Sequence, residues 1–360
     1  MLSLYVRNPL IGRQIREIGL NLQSLDQLLT SPPADNNVIV KQGAFLRVIS
    51  NLGNLSSLCL CCHHRDTGPP GSETLRFIPR LLTSVSSKLT SLSLRFPAAL
   101  FPSIAGGDAP SFPDLRLETL RISITNGYDK RRQSCPPDQL IALIGKTVSS
   151  VKSLEFYCWD PNFDMSDFLS SLGNMRLPHL EKFGLGFVPH NYPMVSDATS
   201  LNRFLLAHNS TITELSLIHG LEIEAGYPDF YGWYRDSLRG VHLNQTLQKL
   251  VLSILYTVDF MTPSYVSILG SIYSSLESLT LLTPPLSLYD VEMLLQSFTC
   301  DQLKSLKLNV RSLDTKLLEL LKERCPKLQE LVLKLLHHDD EIREPVSRRV
   351  SYCLHHVIMW

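Results

Sequence analysis

A six-residue pattern with apolar side chains at its first, fourth and sixth places returns ten times along this chain. No other feature restricts the available folds as much. The copies are LSSLCL from Leu55, LTSLSL from Leu89, LETLRI from Leu117, VKSLEF from Val151, LEKFGL from Leu180, ITELSL from Ile212, LQKLVL from Leu247, LESLTL from Leu276, LKSLKL from Leu303 and LQELVL from Leu328. A weaker copy, IREIGL, begins at Ile15. Successive starts lie 34, 28, 34, 29, 32, 35, 29, 27 and 25 residues apart. A sustained period of this length marks an array in which each unit buries its apolar side only by stacking on the next. One such hexapeptide means nothing, but ten demand a structure in which every copy does the same work.

The segments between copies carry helical spacing. SETLRFIPRLLTSV sets Leu75, Ile78, Leu82 and Val85 on one face, and PDQLIALIGKTV does the same with Leu140, Leu143, Ile144 and Val148 after a Pro137-Asp138 start. SYVSILGSIYSSL and DTKLLELLKERC read likewise. Each unit is therefore a short strand, a loop and a helix. Stacking aligns the strands in a parallel sheet, and because helices are wider than strands the array curves. The expected fold class is α/β: a curved horseshoe solenoid with a parallel β-sheet on the concave face and helices on the convex face. Its last unit needs a cover, and Val346, Val350, Leu354, Val357 and Ile358 have the spacing of a capping helix.

The totals narrow the function. Thirty-four Lys and Arg residues balance thirty-four Asp and Glu residues, so no general field draws in nucleic acid or an anionic membrane. No stretch reaches the ~20 continuous apolar residues that cross a bilayer, and Arg7, Arg13 and Arg16 interrupt the apolar start, against a secretory signal. Eight scattered cysteines then read as reduced thiols of a cytoplasmic or nuclear protein.

The densest candidate for metal chemistry is Cys59, Cys61, Cys62, His63 and His64. In the repeat register Leu58 and Leu60 face the core, so Cys59 and Cys61 alternate with them, and Cys62 and His63 begin the next turn. A zinc site needs four ligands converging on one point, and no second CxxC or HxxxH pair completes a set. The run His337, His338, Asp339 and Asp340 reads as a solvated turn, and Cys325 as a small residue packed at a helix end. No phosphate-binding loop, dinucleotide fingerprint, nucleophile elbow or HExxH helix occurs. The carboxylates Glu118, Glu155, Glu181, Glu214, Glu277 and Glu330 read as a solvated strand edge. No catalytic residue, cofactor or metal is expected, and the function sought is binding, with another protein as the partner.

That partner would meet the concave positions and the loops beyond the strands. Fifth and seventh places supply Arg95 and Arg121 among many small residues, including Ser93, Ser123, Gly184, Gly186, Ser216 and Ser253. Two loops are rich in aromatic side chains: Tyr157, Trp159 and Phe163 in one, Tyr227, Phe230, Tyr231, Trp233 and Tyr234 in the other. Aromatic residues anchor interfaces because they bury much area at small entropic cost. Stacking would put both loops on one rim, within reach of one partner. The alternative for Trp233 and Tyr234 is that they open a helix whose apolar side packs inward.

The strands from LTSLSL to LQELVL resemble a leucine-rich repeat array of the ribonuclease-inhibitor-like class, and their spacing is at or above its ~20–29 residues. The segment LYVRNPLIGRQIREIGL, with Leu4, Tyr5, Arg7, Pro9, Leu10, Ile15, Arg16, Ile18 and Leu20, is similar to the lead-in to the repeats of fungal F-box proteins. The organisation expected is a lead-in over 1–14, an array of about eleven units over 15–340 and the capping helix over 341–360. The resemblance implies a non-enzymatic substrate-recognition module of a cullin-RING ubiquitin ligase. A Skp-type adaptor would be a partner only if an F-box, absent from this sequence, were supplied upstream. Regulation of a small GTPase by a protein of this fold, or an adaptor unrelated to ubiquitination, are the alternatives.

Overall fold

The computed structural model describes residues 14–30, 38–62, 70–101, 115–125, 137–160, 163, 165–187, 198–219, 233, 236–241, 246–253, 276–296, 300–335 and 355–359. The chain divides into two compact units, one comprising Met1–Leu180 with Asn191–Ser200 and the other Glu181–His190 with Leu201–Trp360.

The first unit holds strands β1 (Glu17–Asn21), β2 (Ser57–Cys61), β3 (Ser91–Pro97), β4 (Thr119–Thr125) and β5 (Ser153–Cys158). Each pairs in parallel with the next, and the fourth-place residues share one register row: Ile18, Leu58, Leu92, Leu120 and Leu154. Sixth-place residues Leu20, Leu60, Leu94, Ile122 and Phe156 form a second row. From β2 onward both rows are buried. The hexapeptides therefore align as leucine spines. The backbone pins the register where each strand begins: the Ser56 carbonyl accepts from both the Thr90 and the Ser91 amide at 2.9 Å. The Thr90 and Glu118 carbonyls do the same one and two strands on.

Between the strands run α1 (Leu22–Thr30), α2 (Val38–Ser50), α3 (Ser72–Val85), α4 (Pro137–Gly145) and α5 (Met165–Leu172). Helix α3 buries Leu75, Ile78, Leu82 and Val85, the face its spacing predicts. Its first turn is held from the preceding unit, where the Asp26 carboxylate accepts from the Gly71 amide at 3.0 Å and the Thr74 hydroxyl at 2.5 Å. Helix α4 buries Leu140, Leu143 and Ile144, while Val148 lies past its end in a turn and is only half-buried.

The second unit repeats the plan with β6 (Lys182–Phe187), β7 (Glu214–His219), β8 (Lys249–Ser253), β9 (Ser278–Leu286), β10 (Ser305–Val310) and β11 (Glu330–Leu335). Its spines are Phe183, Leu215, Leu250, Leu279, Leu306 and Leu331, beside Leu185, Leu217, Leu252, Leu281, Leu308 and Leu333. The register slips once, between Leu308 and Val310 against β9. There β9 contains Pro284 and Pro285, which cannot donate to a ladder. Helices α6 (Ala198–Ala207), α7 (Leu288–Gln296) and α8 (Thr315–Arg324) follow β6, β9 and β10. The Asp314 carboxylate caps α8 by accepting from the Leu317 amide at 2.8 Å, and Lys322 and Arg324 sit at its negative end. The segment SYVSILGSIYSSL, expected as a helix, lies at 264–275 outside the described residues, with only Leu276 within them.

The C-terminus departs from the capping-helix expectation. His355–Met359 form β12, antiparallel to β11, with Ile358 opposite Leu331 and Val357 opposite Val332. Residues 341–354 lie outside the described ones. The last parallel strand leaves a row of unpaired backbone groups, and a β-branched pair satisfies that edge better as a strand than as a helix. Spacing of apolar residues could not register the pull of an open edge.

The packing yields one test. A Cβ on Gly173, just after α5, would stand 2.8 Å from the Ser200 carbonyl oxygen and 3.2 Å from that of Leu169. Both are backbone atoms and cannot swing aside, so Gly173→Ala is expected to cost about 1–3 kcal/mol as overpacking. Urea denaturation measures it, and an unchanged midpoint would contradict the contact.

Candidate functional site

In both units the spine residues face the helices, leaving third, fifth and seventh places on the open face of the sheet. On the first unit that face carries an organised polar group. Arg121 on β4 and Glu155 on β5 are register partners, as are Ser123 and Tyr157. The Arg121 Nε donates to Glu155 Oε2 at 2.7 Å and its Nη2 pairs with the same oxygen. The Tyr157 hydroxyl donates to that oxygen at 3.1 Å. The Arg121 guanidinium carbon lies 5.9 Å from the Tyr157 ring centroid, and Tyr157 stacks on Trp159 with rings 8° from parallel and centroids 6.3 Å apart. The Trp159 amide donates to the Ile124 carbonyl at 2.7 Å, fixing the start of that loop.

Burial is divided unequally within the group. The Glu155 side chain is 4% exposed and that of Arg121 is 53% exposed; Tyr157 and Trp159 are half-buried. A carboxylate out of water costs several kcal/mol unless it is paired and hydrogen-bonded. Here the inner carboxylate holds a cation and the Tyr157 hydroxyl, and the Tyr157 ring in turn stacks on Trp159. The solvated-edge expectation thus fails for Glu155, which occupies a fifth place and is covered. It stands for Glu118 and Glu181, which are exposed, and for Glu214, Glu277 and Glu330, which are half-exposed. Glu155 is the residue that sequence reasoning missed. The signal available was its position directly opposite Arg121 once the hexapeptides are aligned.

Burial and the neighbouring Glu155 carboxylate push the Tyr157 phenol up to about 12. The folded chain keeps this proton above the ordinary value near 10, where the unfolded chain releases it. Its contribution to stability is fully present below about pH 10 and is lost as pH rises toward 12. Tyr157→Phe is therefore expected to flatten the fall in urea midpoint across that window; an unaltered fall would contradict the assignment.

The other candidate residues are distributed as follows. Arg95 is exposed on β3, and Arg121 is its diagonal neighbour. Phe163 is wholly buried against Phe156 and Phe168, so it belongs to the core. Trp233 is also no exposed anchor: it is 6% exposed and packs edge-on to Phe187, ring centroids 5.4 Å apart. The inward-packing alternative describes it, because an indole gains more by filling the space beside Phe187 than by standing in water. Tyr227, Phe230, Tyr231 and Tyr234 lie outside the described residues. On the second unit Gly184, Gly186, Ser253 and Asn309 are buried, whereas Ser216, Ile218, Val251, Thr280, Leu282 and Lys307 are half-exposed.

Cys59 and Cys61 stand half-exposed on β2 and Cys62 turns into the core; His63, His64 and the run 337–340 lie outside the described residues. Among the described residues no three His, Cys, Asp or Glu side chains are grouped to hold a metal ion. Cys300 and Cys325 occupy equivalent places in successive units, three residues before Leu303 and Leu328, and both are buried. The Cys300 thiol donates to the Leu295 carbonyl at 3.7 Å, and its interaction with the neighbouring Cys325 sulfur raises the Cys300 thiol and lowers that of Cys325. Among the described residues no helix is long and apolar enough to cross a membrane.

Parallel strands in leucine register, alternating with helices, define an α/β leucine-rich repeat solenoid. Among solved structures, the chain is similar to one in the crystal structure of the Rad7 and Elc1 complex in yeast, at 13% identity over 92% of this chain and 77% of that one, with a TM-score of 0.45. No protein-family model matches the sequence, and a search of curated proteins returns no match.

Proposed function

We propose that this chain is a non-enzymatic protein-interaction scaffold in which the leucine spines keep the sheet rigid and its open face receives part of another protein. The observation that carries this reading is the Arg121–Glu155–Tyr157–Trp159 group. A covered carboxylate adds little to stability compared with an apolar residue of similar volume. It does preorganise a guanidinium and two aromatic rings, the side chains most often found as interface anchors. The finer reading is a substrate-recognition module of an F-box-type cullin-RING ligase. It is supported by the likeness of residues 4–20 to the lead-in of such proteins and by the parallel pairing of Glu17–Asn21 with β2.

Co-purification of the tagged full chain from cells that express it, quantified by mass spectrometry, tests both levels. The scaffold reading predicts proteins retained by the wild type and lost with Trp159→Ala; equal recovery with both contradicts it. The ligase reading predicts a Skp-type adaptor and a cullin among them, and their absence leaves a plain adaptor.

A further inference from the structure

Beside the Arg121 group the open face carries a second, simpler arrangement. On β3 and β4 the register sets Ser93 opposite Arg121 and Arg95 opposite Ser123. Two arginines and two serines thus form a square on one face, with like residues on the diagonals. Strands ~4.8 Å apart and a two-residue rise of ~6.6 Å put the arginine Cα atoms about 8 Å apart. Side chains as long as arginine can converge from that separation on one small anion, with the serine hydroxyls as further donors. Tyr157 continues the row of Arg95 and Ser123 on the next strand, and Trp159 lies against it.

Charge decides which anion. Glu155 already cancels most of the field of Arg121, and both guanidinium contacts made by Arg121 go to that carboxylate. Arg95 is exposed, and no carboxylate among the described residues pairs with it. Two guanidiniums against one carboxylate leave a single net positive charge on the square. A singly charged carboxylate matches that; a doubly charged phosphate leaves an excess negative charge beside Glu155. The flat Tyr157–Trp159 pair, next to the square, suits an aromatic or long apolar side chain rather than a second charge.

We propose that the square formed by Ser93, Arg95, Arg121 and Ser123 is a docking site for a carboxylate side chain of a partner protein, with the adjoining aromatic residue of that partner resting on Tyr157 and Trp159. The site reads an acidic–aromatic pair in an extended segment. This rests on the scaffold reading and adds the chemistry of the partner to it.

The test is selection of a displayed random dodecapeptide library on the folded full chain, repeated on Arg95→Gln, followed by fluorescence anisotropy with the enriched peptides. The Arg95 side chain is exposed and the Arg95 carbonyl, which accepts from the Cys62 amide at 2.9 Å, is untouched by the substitution, so this change leaves the fold in place, and circular dichroism checks that. Peptides enriched on the wild type are expected to share Asp or Glu beside an aromatic residue. Their binding falls about tenfold when the acid is replaced by its amide, and about as much on Arg95→Gln, the size of one charge-assisted hydrogen bond. Enriched peptides without an acid, or insensitive to Arg95→Gln, overturn the site while leaving the scaffold reading intact. Phosphoserine in place of the acid binding tenfold tighter overturns the assignment to a carboxylate. A library from which nothing is enriched overturns the site, while the scaffold reading stands or falls with the co-purification.

Discussion

Phe156→Ala is expected to lower the unfolding free energy by about 3–5 kcal/mol, the range for removing a large aromatic side chain from a closed core. Phe156 occupies a sixth place on β5 and is wholly buried. Its ring stacks on Phe168 of α5 with centroids 4.0 Å apart and lies 5.7 Å from Phe163, which meets Phe168 edge-on at 5.9 Å. Three rings therefore fill the space between strand and helix. Removing the Phe156 ring leaves a void that leucine-lined neighbours cannot close without moving a strand. Phe156→Leu keeps most of the volume and should cost about 1.5 kcal/mol or less. Urea denaturation followed by circular dichroism separates the two. Equal costs for both variants would contradict a packed three-ring cluster. In a stacked array each unit leans mainly on its neighbours, so hydrogen-exchange protection should fall first around β4, β5 and α5.

The second large effect comes from the open face. Arg121→Ala takes the guanidinium away from the covered Glu155 carboxylate. A buried charge stripped of its partner costs about 3–5 kcal/mol. Because half of the Arg121 side chain is in water, the expected loss is about 2–4 kcal/mol. Adding Glu155→Gln removes the stranded charge and should restore more than half of that loss, even though the double variant has fewer polar contacts. A double-mutant cycle in urea measures the coupling. If the double variant were no more stable than Arg121→Ala alone, Glu155 would not be the covered anion described here.

The strands and spines were legible because one hexapeptide states the same demand ten times. Leu92, Leu120 and Leu154 are interchangeable in the sequence, and they are register neighbours in the fold. The face of α3 was legible for a similar local reason, since Leu75, Ile78, Leu82 and Val85 can share a side only in a helix. Strand β12 was not, because Val357 and Ile358 satisfy helical and extended spacing equally over so short a run. The choice was made by the free edge of β11, a tertiary fact. Trp233 shows the same limit: its neighbours in sequence suggest an interface, and Phe187, far away along the chain, makes it core. At the site, Arg121, Tyr157 and Trp159 could be picked out by type and place. The role of Glu155 could not, because a glutamate on a strand face is usually solvated, and only the register across β4 and β5 reveals that it is held from two sides.

The whole account depends on equivalent leucines lying side by side. Methyl NOE spectroscopy on the deuterated chain with protonated leucine methyls measures this directly. The account predicts consecutive contacts Leu58–Leu92–Leu120–Leu154 in the first unit and Leu215–Leu250–Leu279–Leu306–Leu331 in the second. Contacts that skip along these rows, or that join their members to unrelated side chains instead, would contradict it.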